Sequence, residues 1–277
     1  MSALHLGLDL GGTNIKWAVL DAALATVASG SAPTRGSDGP TAVVARLVEV
    51  GRAAIGAVGP VASVGVGVPG LYDRARGTTR FITNIPGDWG GVEVGRPVAA
   101  ALGAPADLIN DARAFTLAES LLGAGQGCET VVCLTLGTGV GGGVVVSGRL
   151  HEGLDGQAGE LGHQIVDPSP DALVCGCGSR GCVEAIYRDG RRGDAAARAR
   201  VVEALGIALS NAVLTLTPER IVIGGGAAHA SAALLEGLRR SVRERVRVAP
   251  VGEIVPAALG PVAGAVGAAL RGREALR

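Results

Sequence analysis

The sequence predicts an α/β protein made of two related halves, because a similar glycine-turn hairpin opens each half. The turn Gly11-Gly12-Thr13-Asn14 joins two apolar runs that lie between Leu4 and Leu20. The turn Gly137-Thr138-Gly139 joins two more between Val131 and Val146. Apolar runs joined by a tight glycine turn are typical of β-hairpins. Two halves of this kind predict two lobes with a ligand cleft between them.

Helices and strands follow each hairpin, as the apolar periodicity indicates. In the first half the pattern predicts helices over 41–58, 92–102 and 112–122, with strands over 61–68 and 108–109. In the second half it predicts helices over 195–216, 232–247 and 262–270, with strands over 220–223 and 255–259. We place residues 1–111 in an N-terminal α/β lobe, onto which a helix within 262–277 packs back. Residues 112–261 then form a C-terminal α/β lobe.

The composition argues against several classes of protein. The chain has 277 residues, of which 48% are hydrophobic and 18% charged, so it is globular and long enough to bury a core. Lys and Arg together number 25, as do Asp and Glu, and this balance argues against a nucleic-acid partner. No apolar run looks long enough to cross a bilayer, so no membrane partner is expected. Five cysteines, three of them close together, favour a reducing, cytoplasmic location.

One histidine and three cysteines lie close together in the glycine-rich segment 163–182. His163, Cys175, Cys177 and Cys182 offer an imidazole and three thiolates, which is a closed tetrahedral ligand set for zinc. With no open coordination position, such a zinc ion is structural and shapes a site without activating a water molecule. Buried thiols or a disulfide are the alternatives, but three cysteines separated by glycines would make a poor core.

The glycine turns suit phosphate binding, because backbone N–H groups and hydroxyls stand there without bulky side chains. Asp9 precedes the first turn, where its carboxylate could hold Mg²⁺ directly or through water. Gly137-Thr138-Gly139 is a second such turn. Gly224-Gly225-Gly226, between a strand and a helix, is a third, and three turns at strand ends predict a bound nucleotide. Lys16, the only lysine, is either an exposed strand residue or a phosphate contact.

Side chains at two further places are candidates for substrate chemistry. Asn110-Asp111 follows an apolar strand and precedes a helix, so the pair either caps that helix or acts in catalysis. In the catalytic interpretation Asp111 accepts the proton of an attacking hydroxyl, and Asn110 fixes a neighbouring hydroxyl. Glu160 and Glu184 flank the proposed zinc ligands, where we expect substrate recognition.

Short blocks spread over nearly the whole chain resemble the ROK family of bacterial sugar kinases and repressors, within the actin-like ATPase superfamily. The blocks are Asp9–Lys16, Gly65–Gly70, Asn84–Gly87, Asn110–Ala112, Leu136–Gly143, Gly159–His163, the cysteine block and Ile223–Gly226. The resemblance implies a two-lobed, ribonuclease-H-like fold with ATP and Mg²⁺ in the cleft. It also implies phosphorylation of a hexose hydroxyl.

The resemblance further implies roles for single residues. Asp111 is the expected general base, and the expected sugar contacts are Asn110, Asp111, Glu160, His163 and Glu184. The expected nucleotide contacts are Asp9, Gly11, Gly12, Thr13, Thr138, Gly139 and Gly225, to which the turn chemistry adds Lys16 and Gly137. In the family, one ring nitrogen of the motif histidine binds zinc and the other can meet the sugar, so zinc would orient His163. A homodimer is also expected from the family.

The chain departs from the family pattern at two places. Arg113 stands where the family usually has Asn after Asn-Asp-Ala. Only residues 185–197 separate the last cysteine block from the next helix, where members commonly have several additional helices. Because a shorter segment should enclose the sugar less, we expect weak or broad sugar affinity, or closure of the site by a dimer partner.

These observations predict an ATP-dependent hexokinase, most simply a glucokinase that makes glucose 6-phosphate. The nearest alternatives are a kinase for fructose, mannose, N-acetylglucosamine or N-acetylmannosamine, or a glucokinase that uses polyphosphate. A protein that senses sugar without turnover is a hypothesis of another class. The presence of Asp9 and Asp111 argues against it, and the shortened segment after Glu184 argues for it. The chain begins directly at the first strand, without a helix-turn-helix, so DNA binding is not expected.

Overall fold

The computed structural model describes residues 3–82, 84–226 and 232–276 of the chain. Within them the protein has two five-stranded β-sheets and a small two-stranded sheet, with α-helices between the strands. The α/β class predicted from the sequence is therefore confirmed.

The described residues form two compact units. Unit 1 runs to Ala118 and includes Leu154–Gln157 and the C-terminal segment from Pro261. Unit 2 comprises Glu119–Gly153 and Ala158–Gly260. The sequence placed the division at residue 111, whereas in the structure it falls between Ala118 and Glu119, inside a helix.

Unit 1 contains a five-stranded sheet in the order β3-β2-β1-β4-β7. Its strands are β1 (His5–Leu10), β2 (Asn14–Leu20), β3 (Thr26–Pro33), β4 (Ser63–Val68) and β7 (Ala106–Asn110). The small sheet pairs β5 (Leu71–Asp73) with β6 (Thr78–Phe81). The helices are α1 (Pro40–Val58), α2 (Gly95–Leu102), the first part of α3 (Asp111–Leu122) and α7 (Ala263–Glu274).

The central strands of unit 1 are buried on both faces, which explains their continuous apolar sequences. Every residue of β4 is buried, and so are five of the six residues of β1. Helices α1 and α7 both contact β1, and α7 also contacts β4. Because β1 pairs antiparallel with β2 and parallel with β4, the hairpin turn lies at the same edge of the sheet as the carboxyl ends of β4 and β7.

Unit 2 repeats this arrangement with the strand order β10-β9-β8-β11-β12. Its strands are β8 (Val131–Leu136), β9 (Val140–Val146), β10 (Arg149–Leu150), β11 (Arg220–Gly224) and β12 (Glu253–Pro256). Its helices are α4 (Val183–Gly190), α5 (Ala195–Leu216) and α6 (Ala232–Arg245). In both sheets, two antiparallel strands of a hairpin are followed by two strands parallel to the first. The two halves inferred from the glycine turns therefore share one strand order.

The largest local difference from the sequence-based expectation is α4. No helix was predicted between Glu184 and residue 195, yet Val183–Gly190 is a helix whose buried side includes Val183 and Tyr187. The helix was missed because it is only eight residues long and ends among arginines and glycines, which hide its periodicity. A turn at 191–194 then leads directly into α5.

Helix α5 is the segment of the described residues that bears on the expectation that no apolar run could cross a bilayer. It has 22 residues and is apolar enough, by length and composition alone, to span a membrane. Half of its most apolar window is buried, and Leu205, Leu209 and Val213 belong to the core of unit 2. A core helix of a globular unit meets the same test, so α5 is adequately explained by its packing.

Candidate functional site

The first glycine turn, between β1 and β2, is closed by residues close to its own hairpin. The Gly11 N–H donates to the Asn14 carbonyl at 3.1 Å. Thr34, just after β3, donates its hydroxyl to the Gly11 carbonyl at 2.6 Å and its N–H to the Thr13 carbonyl at 2.9 Å. Thr13 is exposed, and the two glycines are partly exposed. The turn is thus held in shape while its outer side stays open to a ligand.

Asp9 stands on β1 next to this turn, directly opposite Lys16 of β2. Burial and, to a lesser extent, the Asp111 carboxylate raise the pKa of Asp9 to about 7 against the opposing charge of Lys16. The Asp9 carboxylate lies against Gly264 in the first turn of α7, where a Cβ would come within 2.6 Å of Oδ2. A crowded carboxylate with a raised pKa gains from a cation, so the Asp9 side chain fits a Mg²⁺ ligand.

Lys16 is not the exposed strand residue of the first alternative, and its contact with a phosphate stays a prediction. It is partly buried in β2, and its charge acts on the Asp9 carboxylate. This placement keeps it near the first turn.

Asn110 and Asp111 stand at the end of β7 and the start of α3, as the sequence indicated. The Asn110 side chain accepts from the N–H groups of Ala112 and Arg113 at 3.0 and 3.2 Å, which caps α3. Its amide also donates to the Gly70 carbonyl at 3.1 Å. Asp111 is only partly buried, and its charge acts on Asp9 within the same unit. The capping interpretation therefore holds for Asn110, and the Asp111 carboxylate also accepts from the Ala112 N–H at 2.8 Å. The catalytic role of Asp111 stays a prediction.

The second glycine turn, between β8 and β9, is held from a distant part of unit 2. The Gly137 N–H donates to the Gly139 carbonyl at 3.0 Å, and Thr138 is exposed. The Tyr187 hydroxyl donates to the Gly137 carbonyl at 3.2 Å. Glu184 Oε2 accepts from the Val140 N–H at 3.0 Å. Both of these side chains belong to α4.

The third glycine turn adjoins the second. Gly225 follows β11 with φ +88° and lies against the backbone of Leu136, the last residue of β8. Residues 227–231, which continue from this turn, lie outside the described part of the chain. Two of the three predicted phosphate turns are therefore neighbours in unit 2.

The four predicted metal ligands come together in unit 2. The ligand atoms of His163, Cys175, Cys177 and Cys182 all lie within 4.8 Å of one another. His163 Nδ1 is 3.5 Å from Cys175 Sγ, and Cys177 Sγ is 3.8 Å from Cys182 Sγ. Ligand atoms around a tetrahedral zinc ion are roughly 3.5–3.8 Å apart, given its usual bond lengths. None of the five cysteines, all within the described residues, forms a disulfide. The donor set and its spacing fit zinc.

The thiols of this cluster differ in acidity. The Ser179 backbone N–H, which bonds the Cys177 thiolate, lowers the pKa of Cys177 to about 7. Burial raises the pKa of Cys182 to about 12 and also raises the pKa of Cys175. Three thiolates so close together need a cation to coexist, which agrees with a metal ligand set.

The other side of the His163 ring faces a carboxylate. His163 Nε2 is 3.9 Å from Glu160 Oε2, while Nδ1 points to the sulfur cluster. The ring can thus bind a metal with one nitrogen and contact a polar group with the other. Glu160 is largely exposed on the loop before a short 3₁₀ turn at Leu161–His163.

Sequence reasoning missed two residues, Thr34 and Tyr187, whose hydroxyl groups hydrogen-bond to the glycine turns. Thr34 is an ordinary threonine after a strand, and no motif marks it. Tyr187 has a usable signal, since it stands one helical turn after Glu184 and would share its face of a helix. That signal is visible only once residues 183–190 are known to be helical.

A family model described as the ROK family matches residues 5–191 and 186–272 of the chain. A glucokinase from Thermotoga maritima is 35% identical, and the match covers 95% of this chain and 95% of that protein. An N-acetyl-D-glucosamine kinase from Yersinia enterocolitica is 30% identical, with 96% of this chain and 98% of that protein covered.

Solved structures give the same result. A ROK hexokinase from Thermus thermophilus superimposes with a TM-score of 0.86 at 34% identity, covering 99% of both chains. A ROK-family glucokinase from Streptomyces griseus, in complex with glucose and AMPPNP, gives a TM-score of 0.84 at 29% identity, covering 98% of this chain and 100% of that one.

The fold and the glycine turns define a protein of the sugar-kinase class with the two-lobed fold of actin-like ATPases. Within that class, the chain belongs to the ROK family. The resemblance drawn from the short sequence blocks is thereby confirmed.

Proposed function

We propose that the chain transfers the terminal phosphoryl group of ATP to a hydroxyl of glucose, forming glucose 6-phosphate. The observation that carries the proposal is the near-complete match to glucokinases, one of them solved with glucose and a nucleotide analogue. The chain has the acidic residues and glycine turns that such a reaction needs, at the ends of its strands.

In unit 1, Asp111 is the proposed general base. Its carboxylate stands at the start of α3 beside Asp9, and a positioned base contributes about 10²–10⁴ in rate. Asp9 would hold Mg²⁺ directly or through water, and Mg²⁺ supplies charge neutralisation for the phosphates when bound. Gly11, Gly12 and Thr13 would contact the nucleotide. Lys16 adds a positive charge next to this turn.

In unit 2, the second and third turns would contact the nucleotide through Gly137, Thr138, Gly139 and Gly225. The sugar hydroxyls would be bound by Glu160, His163 and Glu184. For Asn110 and Asp111 the same role rests on the family resemblance alone. Zinc, held by His163, Cys175, Cys177 and Cys182, would fix the tautomer and orientation of the His163 ring. This leaves Nε2, on the Glu160 side, to meet a sugar hydroxyl.

The experiment that tests the proposal is a coupled assay of purified protein with a panel of hexoses, with ATP and with polyphosphate as donors. We expect turnover with glucose and ATP above all other pairs. Higher turnover with N-acetylglucosamine would favour the second candidate, which the N-acetyl-D-glucosamine kinase relative supports. Binding of a sugar without turnover under any condition would favour a sensor and contradict the proposal.

The general-base assignment has its own test. Asp111→Asn removes the proton acceptor but keeps the shape of the side chain, so kcat should fall by about 10²–10⁴. The Kd values for glucose and AMPPNP, measured by calorimetry, should stay within a few-fold of wild type. Asp38→Asn, at an exposed acid of the same unit, is the control and should leave both unchanged. A near wild-type rate in Asp111→Asn would refute the assignment.

We also propose that the chain works as a homodimer in the cytoplasm. The family model matches two segments of the chain, 5–191 and 186–272, that overlap where α4 passes into α5, and this agrees with a shortened segment after Glu184. Ile165, Leu173 and Val174 near the zinc ligands are 60%, 43% and 61% exposed, which suits a surface that a second copy covers. Light scattering gives the mass in solution, and the glucose KM shows whether the shortened segment weakens sugar binding.

A further inference from the structure

Helix α4 contacts both ends of the second glycine turn, at Gly137 and at Val140. We infer that α4 sets the shape of this turn, with Tyr187 as a positioning residue for the nucleotide. The inference rests on the proposed function, in which the turn contacts ATP, and it concerns residues of unit 2 alone.

The first contact comes from Tyr187. The side chain is 2% exposed, and its hydroxyl donates to the Gly137 carbonyl at 3.2 Å. Burial raises the pKa of Tyr187, so the hydroxyl keeps its proton at neutral pH and remains a donor. The carbonyl of Gly137 is thereby turned toward α4. Because this carbonyl and the Thr138 N–H belong to the same planar peptide group, the orientation of that N–H is fixed as well.

The second contact comes from Glu184, one helical turn earlier. Its Oε2 accepts from the Val140 N–H at 3.0 Å. A Cβ on Gly139 would overlap this carboxylate, so the close approach of Glu184 requires glycine at that position. One helix thus holds the first carbonyl and the last N–H of the turn.

The start of α4 is itself fixed by the cysteine segment. Cys182 is the residue that precedes the helix, and Val183 donates its N–H to the Gln164 carbonyl at 3.0 Å, next to His163. Glu184 and Tyr187, which contact the glycine turn, therefore stand only two and five residues after Cys182 on one helix. Movement of Cys182 would displace Tyr187 and Glu184 together.

Unit 1 supports the same interpretation. There, too, a side-chain hydroxyl donates to the carbonyl of the first turn glycine, from Thr34 to Gly11 at 2.6 Å. The two hydroxyls come from unrelated elements, yet both act on the same position of the hairpin turn. A hydrogen bond that recurs at equivalent places in two sheets of one strand order indicates that the turns need this restraint.

The test is Tyr187→Phe, which removes the hydroxyl and keeps the ring. One neutral hydrogen bond is worth about 0.5–1.5 kcal/mol, so the Kd for Mg-AMPPNP, measured without sugar, should rise about 2–12-fold. The KM for ATP should rise likewise, while the Kd for glucose should stay the same. Tyr72→Phe, which removes the other tyrosine hydroxyl of the chain from unit 1, is the matched control and should leave nucleotide affinity unchanged.

Glu184 gives a second measurement with a conservative rescue. Glu184→Ala removes the acceptor for Val140 and should weaken both AMPPNP and glucose. Glu184→Gln keeps an acceptor oxygen and should restore AMPPNP binding without restoring glucose binding. Hydrogen exchange at residues 137–140, measured without any ligand, should accelerate in Tyr187→Phe and in Glu184→Ala.

Two results would overturn the inference. One is wild-type AMPPNP affinity and wild-type exchange at 137–140 in Tyr187→Phe. The other is an equal loss of glucose and AMPPNP binding in Tyr187→Phe together with a lower unfolding temperature, which indicates a general packing role for Tyr187. If the wild-type protein binds no AMPPNP and phosphorylates no sugar, the proposed function fails and the inference fails with it.

Discussion

The two glycine turns occupy equivalent places in sheets of the same strand order, but they are held in different ways. The turn of unit 1 is closed by Thr34, which follows the neighbouring strand β3. The turn of unit 2 is held by Tyr187 and Glu184, about fifty residues along the chain on a helix that begins just after Cys182, a proposed zinc ligand. A glycine turn of the same kind can thus be held either by a neighbouring strand or by a helix that is distant in the sequence.

Removal of the metal should have the largest effect, and it should act on the second glycine turn but not on the first. A chelator should strip about one zinc ion per chain, as metal analysis can verify, and a structural zinc contributes several kcal/mol to stability. Hydrogen exchange should accelerate at residues 137–140 and stay unchanged at 11–14, because only the second turn depends on α4. Cys182→Ser should reproduce the effect. Cys128→Ser, outside the cluster, is the control, and equal acceleration at both turns would break the comparison.

The second largest effect is a pH dependence of stability that arises from Asp9, which stands next to the turn of unit 1. Burial and Asp111 raise the pKa of Asp9 from 3.8 to about 7. Between these values the folded protein binds more protons than the unfolded chain, so its stability falls as pH rises from 4 to 7. The loss is complete above the folded pKa and amounts to a few kcal/mol at most.

Asp9→Asn should therefore flatten the decline in unfolding temperature between pH 4 and pH 7 and should stabilise the protein at pH 8, without added Mg²⁺. The same substitution should weaken Mg-AMPPNP binding. Asp38→Asn, at an exposed carboxylate, should leave the pH profile as in wild type. An unchanged profile in Asp9→Asn would show that Asp9 does not carry the titration.

The smallest effect compares the two hydroxyls directly. Thr34→Val keeps the size of the side chain but removes the donor to Gly11, so about 1 kcal/mol of stability should be lost. Exchange at 11–14 should accelerate and exchange at 137–140 should not. Thr215→Val, which removes an exposed hydroxyl bonded within α5, is the control. The comparison is weakened if Thr34→Val leaves the exchange of the first turn unchanged.

These differences also explain how much could be read from the sequence. The hairpins, both turns and the clustering of His163, Cys175, Cys177 and Cys182 were predictable because each is encoded by residues close together in the chain. Asn110 was predictable as a cap for the same reason, since it bonds the N–H groups two and three residues further on. The two-halves organisation followed from repetition of the turn.

What could not be predicted depends on long separations or on weak local signals. The bond from Tyr187 to Gly137 joins residues that no spacing rule connects, and it needs α4 to exist. Strands β5, β6 and β10 are two to four residues long, too short to show a period. The unit boundary inside α3 could not be inferred either, because a helix that continues across a boundary leaves no break in its pattern.

The position of Lys16 opposite Asp9 has a practical consequence for chemical labelling. Since the chain contains no other lysine, an amine-directed acylating reagent has one side chain to modify, apart from the terminal amine. The extent of modification, read by mass spectrometry, would report on access to the hairpin of unit 1 alone. A nucleotide that shields this amine would be detected without any measurement of turnover.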